Sequence, residues 1–331
     1  MEEEDMRGVL GSTKGMVFIV LAMSAILFNG RSDATEGSIP PPKPVGVIGA
    51  PGGTGDWPAV AEAVASLRTH TLYHPATMPD RKVPLVIWGN GGCADNGLSY
   101  AAFLREIASH GFFVIALGYP RMEGFPRRPE GAPPPPPPKP EPNAHPVDPT
   151  HPEQFFEAIK WADTETNRQG GPFFNKIDTS HIAVMGHSCG GLQAIRVSAD
   201  PRISTTIVMN SGVLNNGPVS GIMEIQVTKD ELKNFHAPVA YINGGQKDIA
   251  FENSVDDVSR LNQVPVFFAY NDVGHGGTYF TSPNGGAYAQ IATRWLEWQL
   301  KSDGDAAKMF VGADCGYCTD KSWTVKRFIE K

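Results

Sequence analysis

The ten residues from Ile182 to Gly191, Ile-Ala-Val-Met-Gly-His-Ser-Cys-Gly-Gly, constrain this chain more than any other stretch. The first four form an apolar run with β-branched residues, the signature of a strand buried on both faces, and Leu192 to Ala199 is compatible with a helix. Between them the backbone must turn sharply. Such a turn forces its central residue into a strained conformation, and the residues two positions to either side must be nearly free of side chain. Gly186 and Gly190 meet that demand around Ser188, in a G-x-S-x-G pattern. Ser188 is therefore the candidate nucleophile, because a strand-turn-helix of this kind lifts its hydroxyl clear of the backbone.

The rest of the chain repeats the strand-helix alternation. Val83 to Trp88 is a nearly continuous apolar strand that runs into Gly89-Asn-Gly-Gly-Cys93, and a helix follows with Tyr100, Phe103, Leu104, Ile107 and Ala108 on one face. Gly111 ends that helix and Phe112 to Leu117 forms the next strand. A helix from Pro152 to Asn167, strands over Thr205–Met209, Ala237–Ile242 and Val264–Tyr270, and a last amphipathic helix from Ala287 to Leu300 complete the pattern. Val45 to Ile48 and Leu67 to Tyr73 supply two further strands. Alternation of this kind predicts an α/β fold with a mostly parallel sheet of about eight strands and helices on both faces.

One segment cannot join that sheet. Over residues 119–150 the pattern breaks, and Pro133 to Pro138 is an uninterrupted proline run that only extended or irregular backbone accommodates. It reads as an insertion leaving the carboxyl end of a parallel strand, the side on which α/β enzymes bind ligands. Residues 45–302 then form the main domain and 303–331 a C-terminal extension.

At the other end, Met16 to Phe28 is a roughly 13-residue apolar run, shorter than the about 20 residues that span a bilayer and within the range of an export signal. Residues 1–34 read as a cleaved signal and 35–44 as a Gly, Ser and Pro-rich linker, which places the protein outside the cell. Glu2, Glu3, Glu4 and Asp5 run against a positive signal start, so an uncleaved membrane anchor and a misplaced start codon stay open. No stable membrane partner is expected. A formal charge of −7 over 331 residues, with no basic stripe, excludes nucleic acid as an expected partner. Oligomeric state is not legible.

A serine hydroxyl is a weak nucleophile and needs a base that is itself held by a third group. Asp248 follows the strand that ends at Ile242, and His275 follows the strand that ends at Tyr270. The chain order Ser188, Asp248, His275 places each group at the carboxyl end of its own strand, with Asp272 and Glu252 as substitutes for Asp248. An oxyanion also needs two backbone donors. Cys189 N–H, directly after the nucleophile, is one, and Gly92 or Gly91 in the loop after Trp88 supplies the other.

These motifs together, Trp-Gly-Asn-Gly-Gly-Cys (88–93), Ala-Ser-His-Gly (108–111), Gly-His-Ser-Cys-Gly-Gly (186–191), Gly-Gly-x-x-Asp (244–248) and Gly-His-Gly-Gly (274–277), resemble the α/β-hydrolase superfamily. Within it the chain is most similar to the branch that holds dienelactone hydrolases, chlorophyllases, platelet-activating-factor acetylhydrolases and polyester hydrolases. The resemblance implies a serine hydrolase that acts on a small or polymeric carboxylic ester without metal or organic cofactor. Ser188, Asp248 and His275 would be its triad, with Gly92 and Cys189 its oxyanion hole. The chain departs from the family at Asn90, where many members carry histidine. A peptidase or acyltransferase on the same fold, and a non-catalytic binding protein on that scaffold, remain the alternatives.

The four cysteines allow three pairings. Cys315-Gly-Tyr-Cys318 reads as a local bridge pinning the tail, since no βαβ unit follows to make it a redox motif. Cys93 and Cys189 lie on two loops that the expected fold brings together, which makes a second bridge there the complementary expectation.

Overall fold

Unbroken apolar runs make the middle of this sheet. The computed structural model describes residues 46–121, 149–217 and 226–328, all within the unit Lys43–Lys331. The expected signal, the linker and most of the proline-rich insertion lie outside the described residues. The strands are β1 (Gly46–Gly52), β2 (Ala59–Ala63), β3 (His70–Pro75), β4 (Val83–Gly89), β5 (Phe113–Leu117), β6 (Ile177–His187), β7 (Ile203–Met209), β8 (Val239–Asn243), β9 (Val266–Tyr270) and β10 (Thr324–Phe328). They form one sheet in the order β1-β2-β3-β5-β4-β6-β7-β8-β9-β10. The six strands from β5 to β9 in that order are mutually parallel. β1, β2 and β3 add antiparallel pairs on one side, and β10 adds another on the other.

Ten strands replace the about eight read from the sequence. The two additions have weak local signals. β2 is Ala-Val-Ala-Glu-Ala, and alanine is a poor strand former whose burial comes wholly from tertiary packing. β10 comes after Cys318, in the C-terminal extension, and pairs with β9.

The helices are α1 (Ala101–Ser109), α2 (Glu153–Asn167), α3 (Cys189–Val197), α4 (Phe251–Arg260), α5 (Gly286–Lys301) and the single turns α6 (Gly304–Ala307) and α7 (Gly316–Thr319). None of the described helices is long and apolar enough to cross a membrane. Strand side chains alternate between the two faces, so each strand feeds two cores. Val86, Trp88, Val114 and Met185 pack with Phe103 and Ile107 of α1 and Ile291 and Trp295 of α5. Leu85, Ile87, Ile115 and Val184 pack on the opposite face with Phe155 and Ile159 of α2 and Val197 of α3. Farther along that second face, Val208, Tyr241 and Phe268 meet Phe251 and Val258 of α4. Burying each such side chain stabilises the fold by about 1.5–3 kcal/mol, and the buried Thr205 of β7 is accommodated by bonds to the Pro238 carbonyl and the Trp295 indole.

The C-terminal extension shares the first of these cores. Phe310 lies edge-on to Trp295 and Phe267, and Cys315 and Cys318 are bonded to each other beside it. Cys93 and Cys189 form the second bond, across 96 residues of chain. In the chain-entropy account, closing a loop of that length removes about 4–5 kcal/mol of unfolded-state freedom.

A half-buried ionic cluster ties the end of α1 to α5. His110 Nε2 lies 3.2 Å from Glu106 and Nδ1 lies 3.5 Å from Glu297, while Glu106 also accepts the Thr54 N–H at 2.8 Å. The bonds to Glu106 and then Glu297 outweigh burial and raise His110 to about 9. A raised histidine stabilises the fold fully below its unfolded value near 6.5, and that contribution is lost as pH rises through about 9. His110→Gln is therefore expected to cost about 2 kcal/mol at pH 6 and almost nothing at pH 10. Lys301, which burial lowers to about 8, is present in both proteins, and its bond to the His110 backbone carbonyl does not depend on the side chain that is replaced. Urea unfolding midpoints of the two proteins from pH 5 to 10 test this; a gap that stays constant with pH overturns it.

Candidate active site

The turn at the end of β6 is as tight as its two glycines require. Ser188 sits at φ 53° and ψ −117°, and α3 begins at the very next residue. A Cβ at Gly186 would lie 2.3 Å from the Gly190 carbonyl oxygen, and one at Gly190 would lie 2.1 Å from the Gly89 backbone. The second contact shows that the turn also packs directly against the end of β4. Ser188 N–H donates to the Met209 carbonyl at 3.0 Å and Ser211 Oγ–H donates to the Ser188 carbonyl at 2.7 Å, so β7 braces the turn from its other side.

The loops after β8 and β9 bring Asp248 and His275 to that hydroxyl. His275 Nε2 lies 3.0 Å from Ser188 Oγ, and Nδ1 lies 2.6 Å from Asp248 Oδ1. A carboxylate only accepts, so Nδ1 carries the proton and Nε2 presents its lone pair to the serine O–H. Asp248 is buried, and its carboxylate accepts four hydrogen bonds: from His275 and Ala250 N–H at Oδ1, and from Gly244 N–H and Asn210 Nδ2 at Oδ2. Burial alone would push this carboxyl up; the four donors, His275 foremost, hold it below the ordinary aspartate value. Asp272 and Glu252, the substitutes, are both exposed, and neither bonds to His275 among the described residues.

On the other side of Ser188 lies the short helical turn Gly91–Cys93. Gly91 N–H donates to Tyr100 Oη at 3.3 Å and Cys93 N–H to the Asn90 carbonyl at 3.1 Å. Gly92, at φ 63°, is left between them with an N–H that has no partner among the described residues, and the same holds for Cys189 N–H. The disulfide joins the residue after Gly92 to Cys189 itself, and Gly190 N–H donates to the Asn90 carbonyl at 3.0 Å. Both unpartnered amides therefore sit on segments that are covalently and hydrogen-bond linked. Asn90 is fully buried: its Oδ1 accepts from the Trp88 indole at 2.9 Å and its Nδ2 donates to the Leu117 carbonyl at 2.7 Å. It fixes this loop to the ends of β4 and β5.

Sequence reading missed Asn210. It follows β7 at φ 44°, and its amide bonds Asp248, the Gly274 carbonyl and Tyr288 while its Oδ1 accepts the Tyr279 hydroxyl proton at 3.0 Å. The signal was present as a polar residue at the carboxyl end of a parallel strand, in Asn210-Ser211-Gly212. Beside Ser188 and His275 opens a cavity of about 90 Å³ lined by Leu192, Leu214, Ile249 and Ala250 among others. Ile249 is 81% exposed at this cavity, directly after the buried Asp248. Other histidines are engaged elsewhere: His236 with the Asp200 carbonyl, and His110 with Glu106.

Against known protein families and curated proteins, the chain matches no family model and no curated sequence.

Proposed function

We propose that the protein is an exported serine hydrolase of the α/β-hydrolase fold that cleaves carboxylic esters through an acyl-enzyme. The observation that carries this reading is the line Ser188 Oγ, His275 Nε2 and Nδ1, Asp248 Oδ1, with spacings of 3.0 and 2.6 Å and the proton placed by the carboxylate. His275 takes the hydroxyl proton as Ser188 attacks the ester carbonyl, and Asp248 stabilises the imidazolium that forms. The developing oxyanion is met by the Gly92 and Cys189 amides, each worth roughly 3–4 kcal/mol in comparable sites. His275 then hands its proton to the leaving alkoxide, and water repeats the sequence to release the acid. The short apolar cavity beside Ser188 suits the acyl group. Export is supported by the apolar run Met16–Phe28 and by two disulfides among the described residues.

A fluorophosphonate probe followed by peptide mapping tests the reading, run beside hydrolysis of p-nitrophenyl esters of rising acyl length. Labelling at Ser188 with ester turnover is the expected result. Folded protein that leaves Ser188 unmodified overturns it and favours a binding protein, whereas labelling with a kcat/KM on peptide amides that exceeds the one on alkyl esters moves the activity to a peptidase.

A further inference from the structure

Two buried rings, Tyr100 and His187, lie between the loop that holds Gly92 and the loop that holds His275. Tyr100 Oη is 2.7 Å from His187 Nδ1, and His187 Nε2 is 2.8 Å from the backbone carbonyl oxygen of His275. The direction of each bond follows from chemistry. A carbonyl only accepts, so His187 carries its proton on Nε2, and Nδ1 of a neutral ring must then accept the Tyr100 O–H. Burial keeps that ring neutral, lowering it to about 4. Tyr100 Oη in turn accepts the Gly91 N–H.

We propose that Tyr100 and His187 are positioning residues, coupling the oxyanion loop to the base through the chain Gly91 N–H to Tyr100, Tyr100 O–H to His187, and His187 N–H to the His275 carbonyl. The inference rests on the serine-hydrolase reading above. One end of the chain fixes the residue that precedes Gly92, and the other fixes the backbone from which the His275 imidazole projects. There is no slack between them: a Cβ at Gly91 would fall 2.4 Å from His187 Nδ1 and 2.6 Å from Tyr100 Oη. The His187 and His275 rings are also neighbours, with centroids 4.9 Å apart. A neutral His187 therefore leaves room for the positive charge that His275 acquires during the reaction. Ser188 lies directly after His187 in the chain, yet His187 bonds to the far side of the site, so its role is exerted through His275 and Gly91 and never on substrate.

Tyr100→Phe removes only the hydroxyl and keeps the ring packed on Trp88 and Phe280, at centroid distances of 4.9 and 5.0 Å. His187→Phe removes both ring nitrogens and keeps a ring. Each variant is expected to lower kcat on p-nitrophenyl acetate by about 10–100-fold with KM within about threefold, because geometry and not binding is lost. The double variant is expected to fall no further than the worse single one, as members of one chain do. The rate constant for fluorophosphonate labelling should drop in parallel, measured at a temperature well below each variant's melting transition so that the folded fraction stays near one. kcat within threefold of wild type in both single variants, or losses that simply multiply in the double, overturns the inference. Wild-type protein that neither labels nor turns over ester overturns the hydrolase reading itself and this coupling with it.

Discussion

Ser188→Ala is expected to lower kcat on p-nitrophenyl esters by about 10⁶-fold and to abolish fluorophosphonate labelling, with the melting temperature unchanged. The size follows from the geometry. Ser188 presents the hydroxyl that lies 3.0 Å from the lone pair of His275 Nε2, so its removal leaves the base with nothing to activate but bulk water. The two amides and the cavity survive in the variant and supply the small residual rate. Stability should hold because alanine is smaller, bears the same φ of 53° no worse than serine does, and leaves the backbone bonds of the turn in place. Steady-state kinetics and a thermal melt on the same preparation decide it. More than about 1% residual turnover, well above what the spectator groups supply, would show that another group attacks.

Asp248→Asn carries the second large effect, a loss of about 10⁴-fold in kcat together with lower stability. All four partners of this carboxylate are donors: His275 Nδ1, Ala250 N–H, Gly244 N–H and Asn210 Nδ2. An asparagine brings two hydrogens of its own, and either orientation sets donor against donor. With its NH₂ toward His275 the ring must adopt the other tautomer and turn a proton toward Ser188; with its NH₂ toward Gly244 it opposes two amides. The buried mismatch should cost about 1–3 kcal/mol. There is also a pH signature. Asp248 is held below its ordinary value, so its contribution to stability is present above the unfolded value near 4 and is lost as pH falls through the lower folded value. The stability gap between wild type and variant should therefore close in acid. Asp272→Ala and Glu252→Ala, both at exposed positions, are expected to keep near-wild-type turnover. If either of them, and not Asp248, silences the protein, the assignment of the third group is wrong.

What could be read beforehand divides along the range of the forces involved. The elbow was legible because its constraint is local: two positions from Ser188 a side chain has no room, and glycine is written at both. The central strands were legible because burial on both faces makes most of each one a continuous apolar run. Asp248 and His275 could be named because each follows such a strand. By contrast α4 escaped notice, since its inner face is built from Phe251, Ser254, Asp257 and Val258, and half of that face is polar. Ser254 and Asp257 are buried only because Asn243, Lys229 and Tyr241 arrive to bond them. The same holds for Asn210, whose partners lie 38, 64 and 78 residues away, and for His187 and Tyr100, 87 residues apart. No spacing rule reaches that far. That Gly91 N–H is taken was equally out of reach, because it turns on a tyrosine hydroxyl nine residues away in the chain.

The bond between Cys93 and Cys189 makes the stretch from the end of β4 to the start of α3 a covalent ring. Residues 122–148, with their proline run, belong to that ring. A single backbone cut anywhere within it opens the ring without parting the molecule. The two halves stay joined through sulfur at the point where the loop carrying Gly92 meets the turn carrying Ser188. Clipping by a protease in this region therefore yields two peptides that stay joined even in denaturant until a reductant is added.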